Sequence, residues 1–183
     1  RMLAGQMDYT PGGFINVTKE KFLADYEAAP KVGWTKLIRP AEIMNTRCQE
    51  LAKFVIYESP YTVYSEHPDR CMGQPGMDFL REVKMSWDET RFIDGYPGEH
   101  IEMAKKAEDG RWFVAGMNNS TKRKVSLDLS FLGNGNHKAT IWMDAKNADK
   151  QPTKLVRKNI TINPAKPFAV DMNIGGGFVV IVE

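Results

Sequence analysis

The sequence predicts a mixed α/β plus all-β architecture: strands and helices in alternation over residues 1–86, then an antiparallel all-β region over residues 87–183. Three observations predict it. The first part carries apolar residues at helical spacing, interrupted by Gly/Pro loops. The second part carries short alternating runs with turn signals between them. The period changes across Trp87-Asp88-Glu89-Thr90-Arg91, which reads as a seam.

Length and composition bound the rest. A chain of 183 residues holds one large domain or two small ones. Its 42% hydrophobic and 26% charged residues are ordinary for a globular protein. Net charge is +2 with the signs interspersed, so no nucleic-acid footprint is visible. The densest basic run, Lys122-Arg123-Lys124, reads as a solvated turn between strands. No apolar run approaches the ~18 residues that would span a bilayer. The chain opens at Arg1-Met2-Leu3-Ala4-Gly5 in an apolar run with no initiator Met or signal peptide, so it is expected to be the inside of a longer protein. Cys48 and Cys71 have no metal or redox spacing; Cys48 reads as a small buried hydrophobe, and a disulfide to Cys71 is left open.

In chain order, residues 1–13 read as an apolar strand ending in the polar group Asp8-Tyr9-Thr10. Pro11 stops the ladder, and Gly12-Gly13 permit a turn. Thr18 is the expected N-cap of a short helix through Phe22, Leu23 and Tyr26. Residues 29–40 are loop. A helix over residues 41–57 is expected from Pro40-Ala41-Glu42 and from Met44, Cys48, Leu51, Ala52, Val55 and Ile56 at three- and four-residue spacing. It is apolar all round at its end, so it is buried there, and it stops before Ser59-Pro60. Residues 61–64 read as a strand, His67-Pro68-Asp69 as a turn, and residues 76–83 as a short helix. This alternation argues for βα units whose parallel strands need partners not contained in the chain.

Beyond the seam, strands are expected near residues 99–107, 111–117, 124–129, 139–143, 155–162, 168–172 and 178–182. Glu108-Asp109-Gly110 and Gly133-Asn134-Gly135-Asn136 supply turns. Gly175-Gly176-Gly177 lacks the Lys-Ser/Thr and helix of a phosphate loop and reads as a turn before the last strand.

No complete catalytic set emerges. There is no nucleophile elbow, no His-Glu-x-x-His and no Cys/His metal spacing. His67 beside Glu66 and Asp69 is a weak metal or acid/base candidate, because three adjacent side chains rarely converge on one atom. Asp8 with Glu66 could form a glycosidase-type carboxylate pair, but sequence gives no distance. Asp88 and Glu89 point to opposite faces of an extended chain and do not act together.

Three stretches are informative together: AGQMDYTPGGF from Ala4, NTRCQELAKFVIYESP from Asn45, and FLREVKMSWDETRFIDGYPGEHIEMAKK from Phe79. In this order and spacing they resemble the C-terminal end of glycoside hydrolase family 97, enzymes of α-glucosidase or α-galactosidase type, mostly from Bacteroides-type bacteria. Gln6 replaces a usual proline, and Cys48-Gln49 replaces a longer Ala-His-Gln run. The ordered match covers about the first 115 residues; the remainder fits in strand pattern.

The resemblance implies that residues 1–86 are the last units of a (β/α)8 catalytic barrel and residues 87–183 a β-sandwich of oligomerisation type. It implies substrate contacts at Asp8, Tyr9, Tyr64 and Glu66 on the barrel rim, although residues 64–66 depart from the family's usual Asp-Ser-Pro. It further implies catalytic carboxylates and calcium ligands upstream of this chain, an oligosaccharide substrate, a homo-oligomer and a periplasmic or cell-envelope location. Trp87 is then expected as a wedge at the domain junction, with Asp88, Glu89 and Arg91 as its hydrogen-bonding partners. The alternative is a non-catalytic β-module for subunit packing or carbohydrate binding, using aromatics such as Trp34, Trp112 or Trp142. The residues alone place Trp112 and Trp142 in the core.

Overall fold

The computed structural model describes residues 9–10, 13–29, 41–59, 61–64 and 66–183. Most of the ordered structure is antiparallel sheet, and it begins inside the seam. β1 (Glu89–Tyr96) pairs with β2 (His100–Lys106), and β2 with β3 (Trp112–Asn118). β4 (Arg123–Leu127) leaves the sheet, while β5 (His137–Asp144) and β6 (Leu155–Ile162) return to it. β7 (Phe168–Met172) pairs with β4, and β8 (Gly177–Val182) inserts between β3 and β5. The result is a six-stranded sheet of order β1-β2-β3-β8-β5-β6 and a separate β4-β7 ribbon.

β3 and β8 occupy the middle of the sheet and are covered on both faces. That is why their sequences, WFVAGMN and GFVVIV, are apolar runs without alternation. One face packs on the ribbon: Val114, Ile141, Phe178 and Val180 meet Val125, Leu127, Val170 and Met172. Trp112 belongs to this core, 9% exposed. The opposite face presents Phe113, Ala115, Trp142, Val179 and Ile181 to helices from the first half of the chain. Trp142 is 3% exposed, so neither strand tryptophan offers a stacking surface. Trp34 lies outside the described residues.

Among the described residues, four helices precede the sheet: α1 (Lys19–Ala28), α2 (Arg47–Ile56), α3 (Pro68–Cys71) and α4 (Met77–Glu82). Thr18 caps α1 as expected, accepting from the Lys21 amide. α2 starts six residues later than the sequence suggests. Pro40-Ala41 is an attractive start, but Thr46 takes the N-cap and accepts from the Gln49 amide. The stretch Thr46-Arg47-Cys48-Gln49 has the spacing of a capping box, but only the Thr46 half forms: Gln49 Nε2 donates to the Asn118 carbonyl and the Thr46 amide to the Gly175 carbonyl. The expected turn at His67 contains one helical turn, α3, with Pro68 at its first position.

α2 lies across β3 and β8 and buries Leu51, Ala52, Val55 and Ile56. The approach is close. A Cβ on Gly177 would stand 3.1 Å from the Gln49 Cα and 2.6 Å from the Gly116 carbonyl oxygen, so only glycine lets α2 and β8 meet there. The helix-side core therefore draws on residues from both sides of Trp87.

The strand expected over residues 61–64 reduces to one parallel bridge, Thr62 to Tyr9, with a second parallel bridge joining Asn16 and Ile43. The other expected strand, residues 2–9, lies outside the described residues except for Tyr9. The Cys48–Cys71 disulfide left open by sequence is absent: both are free, buried thiols.

Candidate functional site

The densest polar arrangement surrounds the N-terminal turn of α2. Arg47 is fully buried, and each guanidinium nitrogen donates: Nε to Asn16 Oδ1 (2.7 Å), Nη1 to the Pro75 carbonyl (2.9 Å) and Nη2 to the Phe14 carbonyl (2.6 Å). Its plane stacks on the Phe14 ring at 3.9 Å. Burial lowers the Arg47 pKa to about 10, opposed by Tyr64, Cys48 and Glu50, so it stays charged at neutral pH. Glu50, also buried, accepts from Asn45 and Lys53 through Oε1, while Oε2 has no partner among the described residues.

Of the four rim residues expected from sequence, Asp8 lies outside the described set. The Tyr9 carbonyl accepts from the Val63 amide (3.3 Å), and its ring meets Tyr57 edge-on at 4.9 Å. Burial, followed by the charge of Glu50, raises its phenol pKa well above the ordinary value. The Tyr64 ring packs edge-on against Phe14 at 5.5 Å. Its hydroxyl is buried with no partner among the described residues, and its pKa is likewise raised, chiefly by burial. Glu66 turns inward: Oε2 accepts from the Phe14 amide (3.3 Å) and Oε1 from the His67 amide (2.9 Å). A Cβ on Gly13 would lie 2.2 Å from Glu66 Oε2, so a larger residue there would displace the Glu66 carboxylate.

The fold thus gathers Tyr64, Glu66 and Phe14 around Arg47, and Tyr9 joins them through its bridge to Thr62. His67 is taken up elsewhere, its Nδ1 accepting from the Asp69 amide (3.3 Å) at the start of α3. Among the described residues, no group of three or more His, Cys, Asp or Glu side chains could hold a metal ion.

A second buried carboxylate, Asp144, joins the start of α2 to the sheet. Its Oδ2 accepts from the amides of Asn173 and Gly177, both at 3.0 Å. Burial raises its pKa to about 6, opposed by the Thr46 hydroxyl, those two amides and the Cys48 thiol. The Cys48 thiol is in turn pushed well up, first by burial and then by Asp144. Arg47 and Asp144 escape sequence reasoning because their partners lie about thirty residues away in the chain.

The junction residues lie apart from this cluster. Trp87 meets Phe113 at 5.3 Å and a ring-to-ring angle of 66°, and the buried Lys105 Nζ stands 5.7 Å over it. Lys105 itself pairs with Glu58 just past α2 (2.8 Å). The Asp88 amide donates to the Lys106 carbonyl (2.8 Å). Glu89 and Arg91, two apart on β1, pair with each other at 2.5 Å rather than with the helices. Arg91 reaches over the Trp112 and Phe131 rings. Trp87 and Lys105 are therefore the side chains that meet the helical layer, and Lys105 gave no signal in sequence.

A family model described as the glycosyl-hydrolase 97 C-terminal, oligomerisation domain matches residues 86–183. Over 184 aligned residues the chain is 30% identical to a retaining alpha-galactosidase of Bacteroides thetaiotaomicron, covering 100% of this chain and 26% of the relative. Among solved structures, a glycoside hydrolase family 97 enzyme from Pseudoalteromonas sp. strain K8, in complex with acarbose, superposes with a TM-score of 0.70 at 24% identity. That match covers 76% of this chain and 22% of the other. A beta-arabinopyranosidase gives 0.67 at 24% identity, covering 82% and 24%. The chain spans about a quarter of the length of the relatives it matches.

Proposed function

Because the chain belongs to glycoside hydrolase family 97 through its C-terminal domain, we propose that it is the C-terminal portion of a glycosidase whose catalytic carboxylates lie upstream of residue 1. The observation that carries this reading is the family-model match over residues 86–183, which brackets all eight strands. The parent enzyme acts on α-linked galactosides ahead of α-linked glucosides. Supporting that order is the similarity along the whole chain to a retaining alpha-galactosidase.

In this reading the helices and parallel bridges of residues 9–86 belong to the last units of a (β/α)8 barrel. The bridges Tyr9–Thr62 and Asn16–Ile43 are parallel and isolated, as barrel strands are when their neighbours are supplied by other chain. Asp8 and Tyr9 then sit at the rim, where barrels place substrate. Glu66, held by two backbone amides, shapes the rim loop instead of acting as an acid or base. The retaining outcome, the calcium ligands and a periplasmic or cell-envelope location belong to the parent. The β-domain assembles it into a homo-oligomer.

The test is an assay of the full-length parent and of these 183 residues on nitrophenyl α-galactoside and α-glucoside, with calcium and with a chelator. Turnover is expected from the parent, greater on the galactoside and lowered by the chelator, and none from the 183 residues. Hydrolysis by the isolated chain would overturn the upstream placement of the carboxylates.

A further inference from the structure

The β1–β2 hairpin carries apolar surface that the rest of the molecule leaves open. Phe92 is 63% exposed and Tyr96 65%. Both line an open cleft of about 450 Å³, together with Ile101, Met117, Gln49 and Asn118. The amides at this cleft are already committed. Gln49 Nε2 donates to the Asn118 carbonyl (2.7 Å), and Asn118 Nδ2 donates to the carbonyls of Thr121 and Asn173. The two amide nitrogens are therefore not free to donate to a sugar. The cleft fits an apolar side chain from another protein surface.

β1 is also an outer strand of the six-stranded sheet. Simple strand addition along it is discouraged by a bulge between Phe92 and Asp94 and by the charges of Glu89, Arg91 and Asp94. Contact at this hairpin therefore runs through side chains. The surface holds two exposed aromatics in the wall of an apolar recess, so one patch offers both a side chain to insert and a place to receive one, as a two-fold interface needs. It also lies wholly within the domain whose family description is oligomerisation.

Resting on the reading of this domain as an assembly domain, we propose that the β1–β2 hairpin is the surface through which two copies associate face to face. Phe92 and Tyr96 of each copy enter the cleft of the other.

The test is light scattering across a concentration series on the 183-residue chain, with thermal melts followed by circular dichroism. Three proteins are compared: the unsubstituted chain, Phe92→Ser with Tyr96→Ser, and a comparison pair, Leu23→Ser with Tyr61→Ser, from the first half of the chain. The unsubstituted chain and the comparison pair are expected at two chain masses, and the hairpin variant at one, with an unchanged melt. Tyr96→Lys alone, at a position open to solvent, gives the same fall in mass if the double variant unfolds. A hairpin variant that stays at two masses overturns the hairpin while leaving the assembly reading intact. Loss of the dimer in the comparison pair alone overturns it in favour of a barrel-facing surface. An unsubstituted chain that stays at one mass overturns both the interface and the assembly reading, whereas the glycosidase reading stands or falls on the activity assay.

Discussion

The two faces of the six-stranded sheet are covered by different chemistry. The ribbon-side face meets β4 and β7 through apolar side chains, and Glu102, paired with His100 at 2.9 Å, is its buried charge. The helix-side face has an apolar centre too, but its margin holds buried Arg47, Glu50, Lys105 and Asp144. Among the described residues, side-chain atoms there lack partners, including Glu50 Oε2 and the Tyr64 hydroxyl. An apolar face is satisfied by whatever covers it, whereas a charged margin is satisfied only by groups in fixed places. The ribbon side is thus mainly apolar, although His137 Nε2, on β5 in alternation with Ala139 and Ile141, is also buried with no partner among the described residues. The helix side depends on long-range bonds from loops that themselves lead toward the barrel in the proposed parent.

Arg47 is the sharpest way to break that contrast. Arg47→Ala strands the Asn16 side chain and the Phe14 and Pro75 carbonyls and removes the stack on Phe14. Removing one member of a buried charged network costs about 3–5 kcal/mol, read as a fall in the urea midpoint at unchanged slope. A loss below about 1 kcal/mol, the size seen for exposed pairs, would show that water already reaches these groups and would remove the difference between the faces.

How much of this was legible follows from how local each signal is. α1, the apolar end of α2, α4 and the strands after residue 99 are written in spacing and turn residues, and sequence finds them. β1 is hidden because an edge strand with one half-covered face has little alternation: in ETRFIDGY the more covered positions are Glu89, Ile93 and Gly95. The start of α2 is obscured by Pro40, a strong local cue that loses to the Thr46 cap. At the candidate site, Cys48 is recognisable as buried, but its neighbour Asp144 is 96 residues away and no spacing predicts it. The Arg47 network joins residues 14, 16, 47 and 75, so it exists only after folding.

Asp144 sharpens the comparison through pH. Its pKa rises from the ordinary 3.8 to about 6 on folding, so the folded state holds the proton more tightly. The stability this contributes is fully present below pH 3.8, is lost as pH rises through about 6, and is constant above that. Two pKa units correspond to about 3 kcal/mol. Asp144→Asn keeps an acceptor for the Asn173 and Gly177 amides and cannot ionise. Its urea midpoint is expected to vary less between pH 4 and pH 7 than that of the unsubstituted chain. Equal pH dependence in the two proteins would show that the carboxylate is solvated and that α2 does not seal it against the sheet.

The smallest effect tests whether the polar margin reaches as far as α4. Trp142 Nε1 donates to both oxygens of Asp78, each at 3.1 Å, and Arg157 Nε pairs with the same carboxylate at 2.9 Å. Asp78 is half exposed, so water competes for it and the bond is weaker than a sealed one. Trp142→Phe alone would mix the lost bond with lost volume beside Phe79, 5.4 Å away. A double-mutant cycle with Asp78→Ala removes that ambiguity, since the packing change appears in both arms. A coupling of about 1 kcal/mol is expected for a single hydrogen bond to a charged, partly solvated group. A coupling near zero would show that the Trp142–Asp78 bond adds nothing to the hold on α4 beyond its apolar packing and the Arg111–Glu82 pair. A coupling as large as the Arg47 loss would place α4 inside the same sealed network.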